Sequence, residues 1–158
     1  MAGKLTTLMA AVNNRITSGL LALNNGDPAA FPQTSAITVL TEDANDLETK
    51  INKAIAQIGM LVLIGEPHFV NESPFNPDTN AKITFAVAVG ETPIIWRDAA
   101  GLKPHGKDVS EFIAALLAQY QIVGFQKLRV LRNDFVPDKK RNLRELTIET
   151  MATIPPLP

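Results

Sequence analysis

The sequence predicts a small α+β domain: a four-stranded, mostly antiparallel sheet with two helices packed on one face, plus an N-terminal helix. Three observations carry this expectation. An amphipathic helix that runs into an apolar strand, followed by a second strand, occurs twice, over residues 46–89 and 108–154. The chain has 158 residues, the size of one domain. A chain of this length buries roughly two thirds of its unfolded surface without staples, and cysteine is absent. The expected division within this one domain, 1–158, is a helix and linker over 1–36, an α+β core over 37–154 and an extended proline-rich tail over 155–158.

Leu5, Leu8, Met9, Val12 and Ile16 follow helical spacing and mark one face of an N-terminal helix. Leu20, Leu21 and Leu23 extend its apolar character, with Gly19 as a candidate break. Gly26, Pro28 and Pro32 mark a loop. The short apolar run 37–40 reads as an edge strand or an extended link. Asp43 or Asn45 is placed to cap the next helix, because a short side-chain oxygen accepts from the free N–H groups of a first turn. Leu47, Ile51, Ala54, Ile55 and Ile58 form its stripe, and Gly59 is its stop, where a left-handed conformation costs glycine little.

Residues 60–64 are apolar on both faces. They read as a central strand covered on both sides, or as one with a face buried in an oligomer. Pro74 and Pro77 punctuate a turn-rich loop over 71–80. From 82 to 89 the sequence alternates: Ile83, Phe85, Val87 and Val89 point one way, Lys82, Thr84, Ala86 and Ala88 the other. That second face is small rather than charged, which leaves room for something to pack on it. A second loop spans 91–107. Asp108 reads as an N-cap, and Val109, Phe112, Ile113, Leu116, Leu117 and Tyr120 give the strongest helical stripe in the chain. Two strands follow, over 125–132 and 143–154. Pairing Leu128 with Ile148 and Val130 with Leu146 sets Lys127 opposite Glu149, an ion pair that helps fix register. The tail Pro155-Pro156-Leu157-Pro158 favours an extended polyproline conformation.

The net charge of −1 hides an asymmetry. Residues 126–144 hold seven basic and two acidic side chains, a net +5, so the remainder carries −6. Opposite fields on one small domain suit head-to-tail association of identical subunits, or an acidic partner.

No catalytic constellation accompanies these elements. His68 and His105 are far apart in sequence, and each lacks the second ligand or oriented partner that metal or acid–base work requires. Asp43, Asp46 and Glu48 crowd a helix start, where capping and the macrodipole account for acids. Ser73 and Ser110 have no nucleophile-elbow context, and the glycines of 101–106 match no phosphate loop. The expectation is a non-enzyme with no cofactor and no metal. The apolar run 60–64 is far short of the about 20 residues a membrane helix needs. Asn13, Asn14 and Arg15 interrupt the N-terminal apolar stretch, so no secretory signal is expected. The protein is expected to be soluble and made in the cytoplasm, with no membrane contact.

Two stretches are candidate contact sites. Lys139, Lys140, Arg141 and Arg144 surround the tip of the last hairpin. They serve as a protein-binding arm, as a plainly solvated tip, or as a grip on phosphates. Phe135 is the one aromatic among them, so the interleaved aromatics of a nucleic-acid surface are missing. Trp96 and Arg97 are residue types enriched at interface hot spots; the alternative is a tryptophan that caps the core beneath a loop.

The order of elements carries a family resemblance. An N-terminal helix, the run Ile37-Thr38-Val39-Leu40-Thr41-Glu42-Asp43-Ala44-Asn45-Asp46-Leu47 entering a helix, a looped hairpin, another helix and a final hairpin with Glu145-Leu146-Thr147-Ile148-Glu149 resemble the tail terminator or tail completion proteins of tailed bacteriophages. The resemblance rests on element order and size and covers most of the chain. It implies a structural virion protein of the tail or neck, made in the host cytoplasm. The subunit would form a ring, commonly a hexamer, that caps the tail tube and joins it to the neck. Its partners would be itself, the tail tube protein and a neck or connector protein, with nucleic acid only passing through the lumen. The alternative is a nucleic-acid-binding module using the basic 139–144 segment.

Overall fold

A computed structural model describes residues 3–26, 34–70, 80–92, 96, 104–136 and 141–153. Its described elements run α1 (Lys4–Gly26), a 3₁₀ turn (Thr34–Ala36), β1 (Thr38–Thr41), α2 (Leu47–Gln57), β2 (Met60–Ile64), β3 (His68–Phe69), β4 (Asn80–Glu91), α3 (Gly106–Leu117), β5 (Arg129–Val136) and β6 (Asn142–Thr153). The class is α+β, as expected. The sheet has six strands rather than four, in the order β1-β2-β4-β6-β5, with β3 also paired to β4.

Two short segments account for the extra strands. The run read as an edge strand or a link is an edge strand: Thr38–Thr41 pairs in parallel with β2, from Thr38↔Leu61 to Thr41↔Ile64. The sheet is therefore mixed, because β1, α2 and β2 make a parallel crossover unit. β3 continues β2 along the same edge of β4. Ile64 pairs with Val87 and His68 with Thr84, so four steps on one strand face three on the other. The extra residue falls at Gly65-Glu66-Pro67 and is a bulge.

The middle of the sheet is built as its alternation requires. Ala81, Ile83, Phe85, Val87 and Val89 of β4 are buried, as are Leu146, Ile148 and Ala152 of β6 and Met60, Val62 and Ile64 of β2. They join one cluster with Leu8, Met9, Val12, Ile16 and Leu20 of α1 and Val109, Ile113 and Leu117 of α3, apart from Ala81. Both long helices thus cover one face. β2 lies between β1 and β4, which explains why it is apolar on both sides.

Helix α2 takes the reverse face, a correction to the expectation that the two pattern helices share one. Right-handed crossovers from β1 to β2 and from β4 to β5 put α2 and α3 on opposite sides of this strand order. Burial agrees. Leu61 points away from Val62, it is buried, as is Ala54 of α2, and neither belongs to the main cluster. α1 takes the place beside α3. It stays helical through Gly19, which lies against Leu116: a Cβ there would sit 2.3 Å from Leu116 Cδ1. That glycine sets helix spacing instead of ending the helix.

The caps also differ from expectation. Asp46, with a left-handed φ of 54°, precedes α2 and makes no side-chain cap bond. His105 is the N-cap of α3, and Asp108, expected as the cap, instead accepts the His105 N–H at 3.0 Å. The register of the last hairpin is two residues from the expected one. Val130 pairs with Ile148 and Arg129, not Lys127, faces Glu149. The chain before β5 turns inward. Leu128 N donates to Tyr120 O and Leu128 O accepts from Gln119 N. The ladder therefore starts later, and Leu131 is then an extra residue between Val130 and Arg132. Of the loops expected over 71–80 and 91–107, Asn80 and Glu91 belong to β4 and Gly106 and Lys107 to α3; residues 71–79, 93–95 and 97–103, and the tail 155–158, lie outside the described residues.

Candidate functional site

Charged side chains gather at both ends of the strand order, after β1 and β2 and along β5. β1 and β2 are parallel, so the residues that follow them emerge at the same end of the sheet. Glu42 and Asp43 follow β1, Glu66 follows β2, and all three are exposed. The Glu66 N–H donates to Glu42 Oε2 at 2.8 Å, which ties the two turns together. Clefts of about 520 and 160 Å³ flank this corner. The larger is lined by Glu42, Glu66, His68 and Glu145 beside Ala86 and Thr147, the smaller by Asp43, Glu66 and apolar residues of α1. Neither lining contains a lysine or arginine.

The opposite edge is basic. Arg129 and Arg132 on β5 have side chains 67 % and 69 % exposed, and Lys127 just before the strand is exposed. Arg129 reaches Glu149 at 3.6 Å, and Lys82 reaches the same carboxylate at 3.1 Å. Arg132 pairs with Asp134 at 3.0 Å. Such exposed pairs contribute little to stability, about 0–1 kcal/mol. Two large apolar side chains lie among these charges: Leu131 on the bulge, 43 % exposed, and Phe135, 52 % exposed. The Arg144 guanidinium stands 5.1 Å over the Phe135 ring.

The sites expected from sequence fall as follows. Arg144 lines a cleft of about 280 Å³ with Glu91, His105, Lys107, Phe135 and Asn142, and Arg141 is half-buried at the start of β6. Lys139, Lys140 and Arg97 lie outside the described residues. Trp96 is fully buried in the main cluster, and its Nε1–H donates to the Pro104 carbonyl. It takes the core-capping alternative. His68 is exposed on β3 beside the 520 Å³ cleft, while His105 caps α3 beside the 280 Å³ one, so the fold does not bring the two histidines together. Among the described residues no three His, Asp or Glu side chains are grouped as metal ligands would be.

The N-terminus of α3 is occupied by the protein's own carboxylates. Buried Glu91 accepts the Gly106 N–H at 2.7 Å, and Asp108 takes that of His105. Negative charge belongs at a helix start, and these two acids meet that need internally. Ser110 is buried and structural: its Oγ–H donates to Lys107 O and its Oγ accepts from Asn133 Nδ2, linking α3 to β5.

The acidic corner was not singled out from the sequence. Its signal was present, in carboxylates placed directly after two apolar runs, but only parallel pairing makes them neighbours. No described helix is long and apolar enough to cross a membrane. No family model matches the chain, and no curated protein matches it.

Proposed function

We propose that this protein is a ring-forming structural subunit of a phage tail, a tail terminator or completion protein that caps the tail tube and meets the neck. The observation that supports the reading is the division of one sheet into three unsatisfied surfaces. Its two edges, β1 and β5, pair with no strand on their outer sides among the described residues. Its reverse face beyond α2 mixes small, polar and apolar side chains, with Thr84, Ala86, Ala88, Leu143, Thr147 and Met151 half-buried. A ring subunit needs two lateral contacts and at least one axial contact, and heterologous lateral contacts close a ring when the rotation permits. The resemblance in element order supplies the identity of the axial partners, tail tube and neck.

The test is direct. Purified protein is added to tail tubes assembled from their tube protein, and particles are imaged. The expected result is a ring at one end of each tube and a halt to further tube growth. Tubes that keep growing with bare ends contradict the reading.

A further inference from the structure

We infer that the lateral contact is made between the basic β5 edge of one subunit and the acidic corner after β1 and β2 of a second copy of this chain. This rests on the ring reading and specifies its surface. Glu42 and Asp43 follow the edge strand β1 and Glu66 follows its neighbour β2, whereas Arg129 and Arg132 lie on the opposite edge strand, β5. Strand spacing of about 4.8 Å across the five-strand path puts those edges roughly 19 Å apart. That is about twice the screening length of roughly 8 Å at physiological salt, so carboxylates beyond β1 and cations along β5 screen each other little within one subunit. Arg129 and Arg132 keep exposed guanidiniums beside Glu149 and Asp134 of their own chain, and a translation from edge to edge brings Lys127, Arg129 and Arg132 against Glu42, Asp43 and Glu66 as further counter-charges.

Two further observations favour a copy of the same chain as occupant. β1 and β5 run antiparallel, because β1 is parallel to β2 and the next three pairings in the sheet, β2–β4, β4–β6 and β6–β5, are antiparallel. Adjacent copies related by a rotation therefore present edges of complementary direction. Leu131 on the bulge between Arg129 and Arg132 adds exposed apolar surface to the same edge strand, a mixture of apolar side chains and arginine that interfaces favour. The surface is heterologous, with different residues on each side, which is the form that builds rings.

Four exposed positions test it: Lys127→Glu with Arg132→Glu reverses the basic edge, and Asp43→Lys with Glu66→Lys reverses the acidic corner. Each double variant alone is expected to associate at least about tenfold more weakly than the natural chain, since like charges then face each other. An equimolar mixture is expected to regain assembly, because each variant retains the surface the other now complements. Mass is read by light scattering, and circular dichroism melts confirm that each variant folds. Folded variants that assemble like the natural chain overturn this contact and leave the ring reading standing. Loss without rescue on mixing also overturns it. A natural chain that stays monomeric, alone and with tail tubes, overturns the ring reading itself.

Discussion

Gly59 holds a φ of 84° immediately after α2, a conformation that costs other residues about 1–2 kcal/mol. Gly59→Ala is therefore expected to destabilise the fold by about that amount, seen as a lower denaturation midpoint with an unchanged slope. An unaltered midpoint contradicts the role. This glycine was legible in the sequence because it sits at the end of a clear stripe. Glu91 was not, because its partner, the Gly106 N–H at 2.7 Å, is fifteen residues away across a loop. Glu91→Gln keeps an acceptor but removes charge at a helix start, at an expected cost of about 1 kcal/mol. Glu91→Leu also strands the N–H, and such a buried unsatisfied donor costs about 1–3 kcal/mol. Equal losses for the two variants in thermal melts contradict a capping role. Asp108 shows a subtler misreading. The acid at a helix start was correctly recognised, but it lies three residues inside, and the cap is His105.

At the scale of elements, periodicity located the two long helical stripes and the alternation of β4. It did not locate pairings. β1 is only four residues long and half-buried throughout, so it carries no alternation of its own. Its place depends on parallel contact with β2, whose paired residues lie 23 positions on. The late hairpin slipped by two residues because backbone bonds between Leu128 and the 119–120 turn delay its start, and a hydrophobicity pattern of period two is blind to a slip of two. The same architecture predicts uneven local stability. β4 and β6 share a ladder of twelve residue pairs beneath α1 and α3, whereas α2 buries only Ala54. Hydrogen exchange is expected to be slowest in β4 and β6 and at least about tenfold faster in α2, a gap of about 1.4 kcal/mol. Equal protection of α2 and β4 contradicts the assignment of α2 to a thinly covered reverse face.

At the scale of the molecule, the charge split was readable from the sequence, but its geometry was not. The charge count over residues 126–144 marks a basic segment; only the strand order shows that its Arg129 and Arg132 lie on one edge strand of a sheet whose far end carries Glu42, Asp43 and Glu66. The fold thus sets part of a linear imbalance along one edge. Self-association driven by those charges must weaken as salt screens them. The most direct measurement of the central claim is molar mass by size-exclusion chromatography with light scattering, across concentration at low salt and at about 1 M salt. A closed multiple of the 17.1 kDa subunit is expected at low salt, with dissociation at high salt. A strict monomer at high concentration and low salt contradicts it.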